Sequence, residues 1–247
     1  GLSSFDEEDA EYFFGREAEV EAVWQKLQSA QLLGIIGASG SGKSSFIGAG
    51  LVPSAPDGWL IVRCTPGSAA IDSLRRAVIP EIEDDATPVR SLAAGGDSAI
   101  VEAFGTWRQA HDSALLIVDQ FEELFTQNAE EEQRRCAEII GRIALDADVH
   151  VLLSMRDDFL MRCHQHEQLR PMFSELTGLD TPHGSALRRA VVQPALRCGY
   201  RFEDEELADE ILAEVEGERG ALRLLAVALA RLGARRAREY GLFTREA

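Results

Sequence analysis

Apolar residues occur along this chain in two textures. Short unbroken runs stand at Leu32–Ile36 (LLGII), Leu60–Val62, Ala114–Val118 (ALLIV) and Val149–Ser154 (VHVLLS). Each is strand-length and apolar on both alternating faces, which predicts strands buried from two sides. Between them, stretches with helical spacing occupy Ser44–Leu51, Ile71–Ile82, Ala99–Ala110 and Ala129–Ala144, the last charged along one face. Pro66-Gly67 closes the second strand. Strands alternating with helices imply a parallel sheet covered on both sides. After about Thr177 the texture changes. Ala186–Ala195, Glu205–Val215 and Ala221–Arg238 read as helices with no strand-like run between them. A boundary near Pro182 is expected, with an α/β core over 1–181 and a helical lid over 182–247.

A chain of 247 residues can hold such a core plus a smaller appended part. No apolar run approaches ~20 residues, so no membrane span is expected. The start, GLSSFDEEDAEYF, is acidic and unlike a secretory leader. The formal net charge of −17 repels phosphate backbones, so nucleic acid is not an expected partner. Cys64, Cys136, Cys163 and Cys198 are far apart and form no CxxC pair, which reads as reduced thiols in a cytoplasmic protein. Basic charge is almost all arginine. The only lysines are Lys26 and Lys43, and Lys43 lies inside a glycine-rich segment.

That segment, GASGSGKS from Gly37 to Ser44, fits G-x-x-x-x-G-K-[ST] at every fixed position, after a strand and at a helix start. Average residue frequencies produce the pattern by chance in about one chain of this length in a hundred. Glycines let successive N–H groups of Ser39, Gly40, Ser41, Gly42, Lys43, Ser44 and Ser45 turn toward an anion. The helix N-terminus adds partial positive charge. Lys43 reaches the β- and γ-phosphates, and the Ser44 hydroxyl is offered to Mg²⁺. ATP or ADP with Mg²⁺ is therefore the expected ligand.

In ALLIVDQFEELF, Asp119 ends a buried strand, where a carboxylate can hold Mg²⁺ through water. Glu122 and Glu123 follow at a turn or helix start, with Phe121 and Leu124 expected to pack inward. One of the two glutamates can orient or deprotonate an attacking water, or both can be a solvated, dipole-favoured helix start. VHVLLSMRDDF ends a strand with Arg156. Its guanidinium can fork onto γ-phosphate oxygens, or pair locally with Asp157 or Asp158. Cys163-His164-Gln165-His166 lacks a second cluster to complete a zinc tetrahedron and is read as packing.

Together these residues resemble the STAND class of AAA+-related signalling ATPases, most of all the bacterial novel STAND family found beside WD-repeat and protease-like domains of conflict systems. The resemblance covers nearly the whole chain. It includes Asp9–Glu17 (DAEYFFGRE), the phosphate loop with Ser45–Pro53, Asp119–Thr126, Arg156–Leu160 and Gln193-Pro194-Ala195. It implies a three-layer P-loop NTPase fold with a five-stranded parallel sheet in the order 5-1-4-3-2 and a C-terminal helical lid. Phe14, Gly15 and Arg16 would lie near adenine and ribose; the alternative is an apolar pair stapling the helix Glu17–Leu27. Pro194 would approach the base from the lid, Arg156 would be a sensor, and Gly220–Leu225 would be the lid's helix motif. Two positions depart from the pattern. Gln120 stands where AAA+ proteins carry glutamate, which moves the water-activating role to Glu122 and Glu123, Glu122 first. Arg223 replaces the usual proline. The implied function is a slowly hydrolysing ATP switch within a larger polypeptide. Sensor and effector domains would share that polypeptide. Assembly would be as a homo-oligomer when active, and the role would lie in defence or programmed cell death. A remodelling motor, a non-hydrolysing scaffold and a kinase are the rival readings. A kinase would need a second-substrate motif, and none is seen.

Overall fold

The computed structural model describes residues 5–79, 92, 95–199, 201–215 and 242–243. Five strands form one parallel sheet: β1 (Leu32–Gly37), β2 (Trp59–Cys64), β3 (Ser113–Val118), β4 (His150–Arg156) and β5 (Leu176–Gly178). Their order is β2-β3-β4-β1-β5, which is 5-1-4-3-2 read from the opposite edge. β5 is only three residues long, too short to stand out as an apolar run. The helices are α1 (Glu17–Leu27), α2 (Lys43–Ser45), α3 (Ala70–Val78), α4 (Asp97–Gln109), α5 (Glu123–Gln127), α6 (Glu130–Leu145), α7 (Leu160–His164), α8 (Gly184–Arg197) and α9 (Glu205–Val215). The texture predicts a purely helical C-terminal part, and the described residues depart from that. Two-residue strands β6 (Arg201–Phe202) and β7 (Leu242–Phe243) pair in parallel. The expected helix Ala221–Arg238, the motif Gly220–Leu225 and the end of Ile71–Ile82 lie outside the described residues.

The sheet's period-two alternation explains why its strands read apolar throughout. Leu32, Val62, Leu116, Val118, Val151 and Leu153 join one buried cluster with side chains of α3, α4 and α6. The intervening residues Leu33, Ile35, Leu115, Ile117 and Leu152 are also fully buried, on the opposite face. The amphipathic helices follow from their own spacing. In α6, for example, Cys136, Ile139, Ile140 and Ile143 are buried while Glu131, Arg134, Arg135 and Glu138 face outward.

Contacts divide the chain into two compact units. One comprises 23–37 and 55–178 and contains the whole five-stranded sheet. Within it, Trp24 of α1 meets Trp59 of β2 edge-to-face at 5.1 Å, and Lys26 Nζ donates to Leu176 O at 2.9 Å. The other comprises 1–22, 38–54 and 179–247. Here Phe13 packs edge-to-face on Phe46 at 6.5 Å. A Cβ at Gly50 would stand 2.5 Å from the Phe13 ring, so glycine is what admits the aromatic there. In the same unit α8 packs on α9 through buried Leu187, Val191, Leu207 and Leu212, with Arg188 paired to Asp209 at 2.9 Å.

Leu116 is fully buried in the middle of β3, whereas Leu145 at the end of α6 is 69% exposed. Leu116→Ala should lower the unfolding free energy by about 2–5 kcal/mol in a urea titration. Leu145→Ala should change it by less than about 0.5 kcal/mol.

Candidate functional site

β1 ends at Gly37, the first glycine of the GxxxxGKS segment. Beyond it, Gly40 and Gly42 adopt φ of +81° and +89°. This left-handed region is open to glycine and strained for side chains bearing Cβ, so the loop's two spaced glycines are conformational necessities. The Ser41 amide donates to Ala38 O at 3.2 Å and the Phe46 amide to Gly42 O at 2.8 Å, closing the loop onto the helix start. Lys43 Nζ donates to Ala38 O at 3.1 Å, so the ammonium lies against the loop itself. Ser41 is buried, and among the described residues its Oγ has no hydrogen-bond partner. Ser44 is half-buried and Ser39 exposed, and Ser45 Oγ accepts the Phe5 amide at 3.1 Å. A regular helix over Ser44–Leu51 was expected. Instead α2 passes at Phe46 into wider π-type turns through Leu51, with all six residues buried. The glycine cradle, the orphaned buried hydroxyl and the lysine fit a phosphate group.

The carboxyl edge of the sheet collects the second group of residues. Register pairs Gly37 with Arg156 and Val118 with Leu153, so the ends of β1, β3 and β4 share that edge. Asp119 follows β3 directly and is 5% exposed. Its amide donates to Cys64 O at 2.9 Å and its Oδ1 accepts the Gln120 amide at 2.9 Å. Gln120 carries φ of +52°, a left-handed conformation that is uncommon away from glycine. It is held by its neighbours: the Phe121 amide donates to Ser154 O at 2.8 Å and the Glu123 amide to Gln120 O at 2.9 Å. Phe121 and Leu124 are fully buried, as their spacing predicts.

The two glutamates separate in this turn. Glu122 Oε2 accepts the Arg156 amide at 3.3 Å. Glu123 Oε2 accepts the Gly67 amide at 3.0 Å, across to the loop after β2. Asn128 reinforces that second tie. Its Nδ2 donates to Gly67 O at 2.7 Å, and its Oδ1 accepts the Ala70 amide at 3.2 Å. The Asn128–Gly67 bracket was invisible along the sequence, where Pro66-Gly67 marked only a strand end. An asparagine just before a helix was the available signal.

Arg156 forks onto Asp158, with Nε–Oδ1 of 3.0 Å and Nη2–Oδ2 of 2.6 Å, and lies 5.5 Å from the Phe159 ring centroid. The local ion pair is thus the arrangement present. Both partners are substantially exposed, and such a pair contributes about 0.2–1 kcal/mol. A phosphate dianion can compete for this guanidinium.

The segment before α1 lies along α8. Gly15 has φ of +91°, and a Cβ there would come 2.4 Å from Ala186 O. Glu17 Oε1 accepts Arg189 Nη2 at 2.7 Å. Phe14 packs beneath the Arg197 guanidinium at 5.4 Å, and Arg197 pairs with Glu11 at 3.7 Å. Arg16 is buried and bonded to two backbone carbonyls, those of Ser41 and Asp180. Pro194 is half-buried inside α8.

The cysteine–histidine segment 163–166 is built as packing. Cys163 is buried with Sγ 3.3 Å from Met155 Sδ, and burial pushes its thiol up to about 12. His164 meets Phe173 edge-to-face, His166 stacks on Phe125, and burial pulls the His166 pKa down. Among the described residues no three histidine, cysteine or carboxylate side chains gather to hold a metal ion. A Mg²⁺ held by one carboxylate, phosphate oxygens and water needs no such cluster. Among those residues no helix is long and apolar enough to cross a membrane.

With this geometry in view, comparison with known proteins gives three results. The family model described as Novel STAND NTPase 1 matches residues 1–247. No curated protein matches the sequence significantly. Solved structures share the fold at low identity. The Walker-type ATPase PABY2304 of Pyrococcus abyssi is 15% identical, with a TM-score of 0.53 covering 96% of this chain and 80% of that one. The Orc1 protein of Aeropyrum pernix, solved in complex with DNA, is 18% identical with a TM-score of 0.62, covering 95% and 63%. AMPPCP-bound DnaA from Aquifex aeolicus is 15% identical with a TM-score of 0.54, covering 92% and 63%. The chain therefore spans under two thirds of the length of these last two.

Two outcomes are expected. Gly15→Ala should destabilise the protein by about 1–3 kcal/mol in thermal or urea melts, from the left-handed backbone and the clash with Ala186 O. Burial holds the Cys64 and Cys163 thiols near about 12 and raises Cys136 as well, so all three remain protonated at neutral pH. Iodoacetamide at pH 7.5 should therefore modify exposed Cys198 first, the others only on unfolding, as read by intact mass.

Proposed function

The chain belongs to the Novel STAND NTPase 1 family, and we propose that it is an ATP- and ADP-binding switch that hydrolyses ATP slowly within a larger signalling protein. The observation that carries this reading is the GxxxxGKS loop continuing from β1, with Gly40 and Gly42 left-handed. Amides from Ser39 to Ser45 and the Lys43 ammonium hold the phosphates. Ser44 and Asp119 are the residues that would offer oxygen ligands to Mg²⁺, and the ion would supply positive charge against the phosphates. Phe14, Gly15 and Pro194 serve the base and ribose.

Glu122 orients or deprotonates the attacking water, and Glu123 acts as a bracket. The reason is their hydrogen bonding. Glu123 is tied, together with Asn128, to the loop after β2. Among the described residues, the Glu122 carboxylate accepts from the Arg156 amide, at the longer 3.3 Å. A base must be free to turn toward a water, and Glu122 meets that requirement better.

A switch needs states that the nucleotide distinguishes. Moving a population from mostly off to mostly on takes a differential of roughly 5 kcal/mol. The γ-phosphate with Mg²⁺, Lys43 and Arg156 supplies it, Arg156 exchanging Asp158 for phosphate. ADP holds the closed monomer, and ATP permits homo-oligomer assembly that activates an effector elsewhere in the polypeptide, in defence or programmed death. The DNA in the Aeropyrum pernix Orc1 complex belongs to that protein; a net charge of −17 argues against a duplex partner here.

Purified protein should bind ADP and ATP below millimolar concentration by fluorescence titration, and Lys43→Ala should weaken binding at least about tenfold. Wild-type protein that binds neither nucleotide would refute the reading. Glu122→Gln should abolish phosphate release while retaining ATP. Glu123→Gln should retain more turnover but lower thermal stability. Equal turnover in both variants and wild type would remove the base assignment.

A further inference from the structure

Arg16 is 4% exposed, yet among the described residues no carboxylate is ion-paired with it. Its Nη2 donates to Ser41 O at 2.8 Å and to Asp180 O at 2.6 Å. Its Nη1 is buried and, among the described residues, has no hydrogen-bond partner. Glu19 and Asp180 act on it only through space, and desolvation outweighs them, lowering its pKa from the free value. A buried cation held by carbonyls alone is expensive, and a structure keeps one only where it does something else.

The two carbonyls show what that is. Ser41 lies inside the phosphate loop. Asp180 lies two residues past β5 and four before α8. One guanidinium therefore fixes the loop and the segment leading into α8 at the same time. The planarity of the peptide bond adds a direction. In a trans peptide, the carbonyl of one residue and the amide N–H of the next point opposite ways. Holding the Ser41 carbonyl on Arg16 turns the Gly42 N–H away from Arg16. Gly42 has φ of +89°, so its backbone has no side chain to resist that setting. Both bonds leave the one Nη2, whose two hydrogens are fixed in direction by the guanidinium plane; a lysine ammonium on its flexible stem holds no such fixed directions.

We infer that Arg16 is a positioning residue: by clasping the Ser41 and Asp180 carbonyls, it orients the Gly42 amide toward bound phosphate and couples the phosphate loop to the segment entering α8. This replaces the expected contact of Arg16 with adenine or ribose. It rests on the nucleotide-binding reading above.

The test compares Arg16→Lys with Arg189→Ala in the full chain. Arg189→Ala breaks the exposed tie between α8 and Glu17 but leaves Ser41 untouched. Titration with a fluorescent ADP analogue and Mg²⁺ should show affinity reduced at least about tenfold in Arg16→Lys, the loss of one charge-assisted hydrogen bond. Arg189→Ala should bind as wild type. Hydrogen exchange without nucleotide should show residues 38–46 and 179–183 losing protection together in Arg16→Lys alone. Folded Arg16→Lys with wild-type affinity would overturn the inference, as would lost protection in only one of the two segments. Should Arg16→Lys not fold, wild-type protein decides: ADP should protect both segments, and protection of 38–46 with 179–183 unchanged would overturn the coupling. Wild type that binds no ADP refutes the switch reading instead, while exchange in Arg16→Lys still reports on the clasp.

Discussion

A parallel sheet buried on both faces permits chemistry at one place only. Its strands carry few polar side chains in their middles, buried Ser154 in β4 being one, because both faces pack largely against apolar groups. All five strands point the same way, so all five carboxyl ends arrive at one edge, and loops there are free to be polar. Gly37, Asp119 and Arg156 each sit where an apolar run stops. Their positions follow from the topology more than from any local preference. The turn after β3 shows how tightly the edge is built. Asp119 donates to the end of β2, Phe121 to β4, and left-handed Gln120 is held between them.

The same burial made much of this architecture legible from the residues. β1, β3 and β4 are unbroken apolar runs because each is central and covered twice. α1 and α9 have the boundaries that their spacing predicts. The phosphate loop is legible because its glycines answer a backbone requirement that survives any context. Three features were not legible, each for a physical reason. β5 has three residues and gains its strand character only by pairing with β1. The π-type turns at Phe46–Leu51 arise from a segment buried on every side, where regular helical spacing no longer applies. The ties of Arg16 to Asp180 and of Asn128 to Gly67 join positions 164 and 61 apart, and only the folded topology decides such meetings.

Sequence motifs thus marked which residues are chemically able, while the structure divides their labour. Glu122 and Glu123 are adjacent and identical in type, and nothing in the sequence separates them. One backbone amide does: Gly67 takes Glu123 as its acceptor and makes it part of a bracket.

The two arginines illustrate a similar division by solvent exposure. Arg156 pairs with Asp158 at the surface, in a contact worth about 1 kcal/mol or less, so it can change partner at little cost. Arg16 is buried against two carbonyls, and losing either contact would cost a charge-assisted hydrogen bond, about 1.5–3 kcal/mol. The switch proposed above would use both kinds of contact. The group that reports on a phosphate must be loosely held, or the nucleotide could not move it. The group that keeps the binding loop in shape must be tightly held, or the loop would relax whenever the phosphate left. Exposure at Arg156 and burial at Arg16 would suit these opposite requirements with the same functional group.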